Sequence, residues 1–254
     1  GGGHDGHGKG AMTVRFARFD KAFKQVEESE LDARVCECCP TAAAVTSEGM
    51  IAAYRNRGDD ERTPTRAECG LPEGGFVFCC FNNNYKIVPE VFAVWMRLLR
   101  ALPDSALWLL ADNQWAEANL RCEAQAAGVD PARVVFAPRT APGAHLARQR
   151  VADLFLDTLP VNAHTTASDA LWVGLPVLTC AGRSFAARVA GSLLHAVGLP
   201  ELVTENLDDY ERLALRLATS PGELATLRAK LARNLPDAPL FDAARTTRHI
   251  ERAY

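Results

Sequence analysis

The chain lacks the features that would indicate a nucleic-acid or membrane partner. Its 254 residues carry 28 Lys and Arg against 31 Asp and Glu, a formal net charge of -3, so no general attraction to nucleic acid is expected. No uninterrupted apolar run approaches the roughly 20 residues that cross a bilayer. The Gly- and His-rich start also lacks the hydrophobic region of a signal peptide. We therefore expect a cytoplasmic protein whose partners include neither nucleic acid nor membrane.

The eight cysteines lack the spacing of a metal site. Cys36, Cys38 and Cys39 form a C-x-C-C cluster without the paired C-x2-C or H-x3-H partners of a tetrahedral zinc site. Cys79, Cys80 and Cys180 fall inside predicted strands, where a thiol packs as a small apolar group. The spacing favours reduced structural thiols over metal or disulfides, and we expect no metal.

The first 62 residues contain too little predicted structure for a domain. Residues 1–10 fit a dinucleotide fingerprint and nearly fit a P-loop, but no strand precedes them and no helix follows, so we interpret them as a flexible tail. Within the β-rich segment 11–62, strands are predicted at 13–19, 43–46 and 50–54, the last two joined by a hairpin turn at 47–49. Such strands bury too little apolar surface to be stable alone. The segment 63–254 is predicted to form the main lobe.

From residue 76 onward, short apolar runs alternate with helical periodicity, which predicts an α/β fold with a Rossmann-like parallel sheet and helices on both faces. The predicted strands are 76–81, 106–111, 133–137, 154–157, 176–180 and 202–204.

Three of the predicted helices have clear boundary signals. The first has an apolar stripe and ends before Pro103, and a second covers 186–197 and ends before Gly198. Ser220 and Glu223 form a capping box with Pro221 at the first helical position, which predicts the start of a third helix. The stripes are Val91, Phe92, Trp95, Leu98, Leu99 and Leu102 in the first helix, and Leu224, Leu227, Leu231 and Leu235 in the third.

Polar residues follow three of the predicted strands, in the loops 82–86, 138–148 and 162–169. Ligands of open parallel sheets bind at the carboxyl ends of the strands, so these loops should converge. The last loop enters a helix, whose free N–H groups and dipole favour phosphate. Lining it are an imidazole, hydroxyls and a carboxylate, which suit a nucleotide sugar. The first loop has no glycine finger, which argues against NAD or FAD and leaves Lys86 to supply positive charge.

Each candidate also has an ordinary structural interpretation. Lys86 could be a solvated lysine at a helix start, and His164 could form only local hydrogen bonds. Thr166 and Asp169 satisfy T-x-x-D and could cap their helix. Thr166 and Asp169 can both cap the helix and bind a ligand.

His145 and Arg148 complete the candidates, and two other histidines are set apart from them. His145 and Arg148 lie one helical turn apart and could bind a nucleobase or lie on the surface. His195 and His249 are interpreted as structural.

From about residue 64 to the end, the chain resembles the C-terminal lobe of the protein O-GlcNAc transferase family. The resemblance is carried by several separated motifs in order, at 74–87, 106–110, 133–138, 152–158, 164–166, 169–176 and 187–190. It implies a GT-B fold and inverting transfer of N-acetylglucosamine from UDP-N-acetylglucosamine to protein Ser or Thr, with no cofactor and no metal.

The resemblance also implies the role of each site residue. Lys86 would stabilise the UDP leaving group, and with His164, Thr165 and Thr166 it would hold the diphosphate. Asp169 would bind the ribose, His145 and Arg148 the uracil, and Asn83 would take a nearby polar position that is often glutamine. Pro142 stands where relatives have a lysine, which removes one expected ribose or base contact.

The resemblance implies parts that this sequence does not contain, namely an upstream acceptor-side Rossmann lobe and tetratricopeptide repeats. Residues from about 10 to 61 instead resemble part of a sialidase-like repeat propeller protein, so a fused or truncated reading frame is expected. Three hypotheses follow: a protein O-glycosyltransferase lobe, a non-catalytic UDP-binding fragment, and, more weakly, a sialidase-like glycosidase fragment. Glycosidases need paired carboxylates in a complete pocket, which disfavours the third.

Overall fold

The computed structural model describes residues 14–19, 25–32, 42–46, 49–53 and 62–253. Contacts between residues divide the chain between Glu61 and Arg62 into two units. Each unit is described by itself.

The first unit contains two antiparallel strand pairs. Strand β1 (Val14–Phe19) pairs with β2 (Gln25–Asp32), and β3 (Ala42–Thr46) pairs with β4 (Gly49–Ala53). The predicted pairing of the last two strands is confirmed, and so is the strand at β1. Strand β2 was not predicted, because its sequence is mostly acidic and polar and lacks the apolar alternation of a half-buried strand.

The second unit is built around six strands and eight helices. The strands are β5 (Val77–Cys80), β6 (Ala106–Leu110), β7 (Val134–Ala137), β8 (Leu154–Leu156), β9 (Val177–Cys180) and β10 (Val203–Thr204). The helices are α1 (Pro89–Ala101), α2 (Gln114–Ala126), α3 (Pro142–Gln149), α4 (Thr165–Trp172), α5 (Val189–Ala196), α6 (Leu207–Thr219), α7 (Pro221–Asn234) and α8 (Ala243–Ala253). Within the described ranges, none of the helices is both long enough and apolar enough to span a bilayer.

The six strands form one parallel sheet in the order β10-β9-β8-β5-β6-β7. The chain builds outward from β5 to β7, and then crosses back so that β8 lies on the other side of β5. The strand order therefore reverses between β5 and β8. Their carboxyl ends leave a crevice, because the two following connections run in opposite directions, and ligands of such sheets bind there.

The buried core explains why short apolar runs in the sequence predict the strands correctly. Every residue of β5 and β9 is buried, because helices pack around the sheet. Trp95 on α1 and Trp108 on β6 are among the largest fully buried side chains. The predicted stripe of α1 is confirmed apart from Leu102, which lies just past the helix and is partly buried. The cysteines of β5 and β9 are free and buried, as expected.

The predicted capping box at Ser220 is wrong in its chemistry, although α7 does begin at Pro221. The Ser220 side chain makes no capping hydrogen bond. The carboxylate of Glu223 instead pairs with Arg216 at 3.1 Å, so an ion pair to α6 replaces the reciprocal cap. The helix predicted from residue 186 also begins later, at Val189, because a 3-10 turn over Phe185–Ala187 precedes it, capped by Ser184.

An ion cluster ties together the amino ends of the two central strands. The Asp153 carboxylate, just before β8, accepts from Arg66 Nη2 at 2.7 Å and from the Val77 N–H at 2.8 Å. Arg228 on α7 approaches the same carboxylate at 3.4 Å and also donates to the Ala152 carbonyl at 2.8 Å. The cluster therefore connects β5, β8, α7 and the segment that enters the sheet.

Candidate functional site

The loops that follow β5 and β8 meet at the reversal of strand order, as the sequence predicted. Lys86 ends a 3-10 turn after β5, and its Nζ donates to the backbone carbonyl of Asn162 at 2.8 Å. Asn162 lies in the loop that leads to α4. Because the acceptor is a neutral carbonyl, the lysine charge is available to an anion bound beside it.

Asn82 links the same two loops through its side chain. This residue is 3% exposed, and its Nδ2 donates to Thr158 Oγ1 at 2.8 Å, while its Oδ1 accepts from Thr166 Oγ1 at 2.5 Å. Thr166 lies in the first turn of α4. The start of α4 is therefore fixed to the carboxyl end of β5 by a partly buried hydrogen bond.

Asp157, the first residue after β8, is a buried carboxylate with four hydrogen-bond donors around it. Oδ1 accepts from the N–H groups of Thr158 and Ala163 at 2.7 and 2.6 Å and from Asn82 at 3.4 Å, and Oδ2 accepts from Thr179 at 2.6 Å. Burial raises the pKa of Asp157 to about 7, although its hydrogen bonds act in the opposite direction. A carboxyl with a pKa raised to about 7 therefore lies beneath the loop that leads to α4.

The raised pKa of Asp157 predicts a specific dependence of stability on pH. The folded state binds this proton more tightly than the unfolded chain, whose aspartate pKa is about 3.9. The resulting stabilisation is fully present below about pH 4 and is lost as pH rises to about 7, with a slope of at most roughly 1.4 kcal/mol per pH unit. Urea unfolding of the wild type and Asp157→Asn across this range should show that the variant lacks this slope. Parallel profiles would contradict the assignment.

Helix α4 begins at Thr165, with His164 as its N-cap residue. Thr166 is therefore inside the helix and bonds to Asn82, so the alternative in which Thr166 and Asp169 form a capping box is wrong. The His164 side chain makes no capping bond, and its Nε2 is buried without a hydrogen-bond partner among the described residues. A buried nitrogen in this state, beside the free N–H groups of a first helical turn, is suited to a phosphate oxygen.

The remaining predicted residues of α4 differ in exposure. Thr165 is exposed at the first helical position, whereas Asp169 lies one turn further on and is 5% exposed. The Phe185 ring, 84% exposed, lies edge-on to His164 with ring centroids 6.4 Å apart. An aromatic side chain therefore flanks the open side of the histidine.

His145 and Arg148 share one face of α3, but they occupy different layers. The His145 ring is partly exposed and packs edge-on against Phe81 at 5.1 Å. Arg148 is 7% exposed, with its guanidinium over the rings of Phe81 and Trp108. It donates to the Pro138 carbonyl at 2.6 Å and to His145 Nδ1 at 2.8 Å, and burial lowers the pKa of Arg148.

The bond between these two side chains fixes the state of the histidine. A guanidinium can only donate, so Nδ1 of His145 is an acceptor and the ring proton of the neutral imidazole is on Nε2. The alternative interpretation, in which Arg148 lies on the surface, is wrong, because its guanidinium is packed beneath the His145 ring.

Asn83 lies at the outer part of the same edge. Its Oδ1 accepts from Arg139 at 3.2 Å, and Arg139 also pairs with Asp112 at 2.8 Å. Asn83 Nδ2 donates to the hydroxyl of Tyr85 at 3.3 Å. These contacts join the loops after β5, β6 and β7. With the contact between Lys86 and Asn162, the three predicted loops converge at one edge of the sheet.

Asn82, Asp157 and Arg139 contribute to this edge but were not among the predicted site residues. The sequence held a signal for Asp157, which is a charged residue directly after an apolar strand at the predicted ligand-binding edge. Asn82 and Arg139 stand beside several other polar residues in their loops, and only the contacts distinguish them.

Two cavities in the second unit are lined by none of the predicted site residues. The larger, of about 730 Å³, is lined mainly by residues that precede β5, β6 and β7, including Gly75, Ser105 and Arg133. It lies at the amino edge of the sheet. The donors suited to an anion converge at the carboxyl edge, so we place the functional site there rather than in this larger cavity. No group of three or more His, Cys, Asp or Glu side chains arranged for a metal ion is found in the described ranges.

Most of the chain is similar to known proteins. The sequence model of the family described as glycosyl transferase family 41 matches residues 21–250. A probable UDP-N-acetylglucosamine–peptide N-acetylglucosaminyltransferase, SEC, of Arabidopsis thaliana is 39% identical over 197 residues, which are 77% of this chain and 20% of that protein. The chain thus spans about a fifth of the length of this curated relative.

Solved structures support the fold. An O-GlcNAc transferase mutant of Thermobaculum terrenum is 36% identical with a TM-score of 0.67, over 73% of this chain and 35% of that one. The sucrose-phosphate synthase of Thermosynechococcus elongatus is 15% identical with a TM-score of 0.54, over 75% and 49%, and shows the fold alone. The predicted fold class, a GT-B lobe with a parallel Rossmann-like sheet, is confirmed.

The same comparisons bear on the first 61 residues. The family match begins at residue 21 and so includes most of the segment for which a sialidase-like relationship was expected. None of the matches above supports that relationship.

Proposed function

The chain belongs to glycosyl transferase family 41, and from that premise we propose that it binds UDP-N-acetylglucosamine and supplies the donor side of inverting transfer to protein Ser or Thr. The observation that carries the proposal is the contact of Lys86 Nζ with the Asn162 carbonyl at 2.8 Å, which brings a cation to the entrance of α4. The name of the Arabidopsis relative supports the choice of donor and of a polypeptide acceptor.

The diphosphate is assigned to the crevice between β5 and β8. Lys86 offers a charged donor, and the first turn of α4 offers backbone N–H groups with the hydroxyls of Thr165 and Thr166. The unpartnered Nε2 of His164 adds a further polar atom. Together these groups could surround a diphosphate without a metal ion.

The nucleoside is assigned to the neighbouring part of the same edge. The His145 ring supplies a stacking face for uracil, and Arg148 holds that ring from below. Asp169 is assigned the ribose hydroxyls. Asn83, in the loop after β5, is the nearby polar position in this arrangement.

The chemical contribution of this lobe would be stabilisation of the leaving group. As the bond between the sugar and the diphosphate breaks, negative charge grows on the departing phosphate. Preorganised donors stabilise such charge most effectively because they do not need to reorient. Lys86 is therefore the proposed catalytic residue of the lobe, and the helix N–H groups act with it.

A calorimetric titration with UDP tests the donor assignment, and incubation with UDP-N-acetylglucosamine and acceptor peptides tests transfer. UDP binding with peptide glycosylation would support the full proposal. UDP binding without transfer would limit this chain to donor binding, with acceptor functions left to further parts of a longer protein. Absence of UDP binding would overturn the proposal.

A substitution of His145 separates the base subsite from the phosphate subsite. Stacking on an aromatic ring contributes about 1–3 kcal/mol per base, so His145→Ala should raise the Kd for UDP by roughly tenfold. Inorganic pyrophosphate has no base to stack, and its Kd should not change. Equal losses for both ligands would show that His145 does not act through the base.

A further inference from the structure

Asp157 closes the loop that precedes α4 at both of its ends. The same oxygen, Oδ1, accepts from the N–H of Thr158 at 2.7 Å and from the N–H of Ala163 at 2.6 Å. These residues are the first and the last of the segment 158–163. One carboxylate oxygen thus holds the two ends of the loop together.

The backbone of Asp157 is itself held from two directions. Its N–H donates to the Leu178 carbonyl of β9 at 2.9 Å, and its carbonyl accepts from the hydroxyl of Tyr210 on α6 at 3.0 Å. Tyr210 in turn accepts from Trp95 Nε1 on α1 at 3.2 Å. Asp157 is therefore a fixed point in the buried core, from which its side chain reaches the loop.

The closed loop carries the groups that the diphosphate would meet. The Asn162 carbonyl, which accepts from Lys86 Nζ, lies one residue before Ala163. His164 and the first turn of α4 follow directly after it. Asn82 contacts Asp157 and Thr158 on one side and Thr166 on the other, so it transmits the same constraint to the helix.

We propose that Asp157 is a positioning residue of the anion site, whose carboxylate closes the loop 158–163 and thereby places Lys86 and the first turn of α4. This role rests on the proposed function, because the ligand is the diphosphate of a UDP-sugar. Asp157 itself is 2% exposed and would not touch the ligand. Its effect on binding would pass through the loop.

At a pH above the Asp157 pKa of about 7, where the carboxyl is ionised, Asp157→Asn keeps the shape of the side chain but replaces an oxygen with a donor and removes the charge. Charge-assisted hydrogen bonds are about twice as strong as neutral ones, so backbone amides over 158–166 should exchange with deuterated solvent about tenfold faster than in the wild type. The Kd for UDP and for inorganic pyrophosphate should rise by roughly tenfold.

A double-mutant cycle distinguishes positioning from general destabilisation. Residues that act through one another show non-additive losses, so Asp157→Asn should cost less affinity in a Lys86→Ala background than in the wild type. Ser105→Ala is the matched control, because Ser105 is also buried and hydrogen bonded, to Leu102 and Arg133, but lies at the opposite edge of the sheet. It should leave both Kd values within about twofold.

Asn162→Ala provides a second test if Asp157→Asn does not fold. Its Nδ2 closes the same loop by donating to the Thr158 carbonyl at 2.8 Å. Loss of this neutral bond should raise both Kd values by about threefold.

The outcomes separate the two proposals. If the wild type binds UDP, and Asp157→Asn shows the same affinity and the same amide exchange, the proposed role of Asp157 is overturned while the proposed function stands. If Asp157→Asn does not fold, an unchanged affinity in Asn162→Ala has the same consequence. Additive losses in the cycle overturn the role of Asp157 too. If the wild type binds neither UDP nor pyrophosphate, the proposed function fails and the role of Asp157 fails with it.

Discussion

Lys86→Ala is expected to raise the Kd for UDP by about 100-fold. Hydrogen bonds to charged groups contribute about 1.5–3 kcal/mol, and here both partners would be charged in a partly buried crevice. The Lys86 ammonium is already in place, since its Nζ contacts the Asn162 carbonyl at 2.8 Å. Little side-chain entropy would be lost on binding, so most of the interaction should appear as affinity.

Calorimetry with UDP measures this effect, and uridine provides an internal comparison. Uridine has no phosphate, so its weaker binding should be nearly the same in the wild type and in Lys86→Ala. Lys230→Ala is a matched control, because Lys230 is also a lysine with an oxygen partner, Glu201 at 2.6 Å, but it lies on α7. Indistinguishable UDP affinities for wild type and Lys86→Ala would remove the lysine from the site.

The sheet could be predicted because burial on both faces leaves a simple pattern. Strands β5 and β9 consist entirely of buried residues, so apart from Thr179 they appear in the sequence as apolar runs between loops. The strand β2, eight residues long, shows the limit of this approach. Its acidic sequence has no apolar pattern, and its assignment depends on pairing with β1.

The general location of the site followed from chain order, but the roles within it did not. Polar loops after parallel strands converge at one edge, so Lys86 and the start of α4 could be placed together before any contact was known. The sequence could not show that Arg148 lies beneath His145 or that Asp157 bonds to both ends of a loop. These contacts join residues whose side-chain directions depend on the packed structure.

The capping boxes failed for the same reason. Ser220 and Thr166 both precede an acidic residue by three positions, which is the pattern of a local cap. In the folded lobe, Glu223 pairs with Arg216 and Thr166 bonds to Asn82. Tertiary partners took the place of local ones, and a sequence pattern alone does not contain them.

Asp153→Ala is expected to lower the free energy of unfolding by about 3 kcal/mol, the largest loss of stability that we predict. Removing one partner of a buried ion pair typically costs about 3–5 kcal/mol, because the other charge is left without compensation. Asp153 is less than fully buried, with its side chain 19% exposed and that of Arg66 22% exposed, so the lower end of this range applies. Arg228, 38% exposed, adds less because solvent screens its charge.

The contact of the Asp153 carboxylate with a backbone N–H adds to this loss of stability. It predicts that different substitutions of Asp153 cost different amounts. The carboxylate also accepts from the Val77 N–H at the first residue of β5. Asp153→Asn can keep that acceptor while losing the charge, so its loss should be smaller than that of Asp153→Ala. Urea unfolding at neutral pH measures both variants.

Glu211→Ala is the matched control, because it also removes the carboxylate partner of an arginine, but in an ion pair at the surface. Glu211 pairs with Arg97 at 2.6 Å, with side chains 27% and 42% exposed. Exposed pairs contribute about 0–1 kcal/mol. The free energy of unfolding of this variant should therefore fall by less than about 1 kcal/mol, although the ion pair is as short as that between Asp153 and Arg66. Equal losses for Asp153→Ala and Glu211→Ala would show that the cluster at the amino ends of β5 and β8 stabilises the lobe no more than a surface pair does.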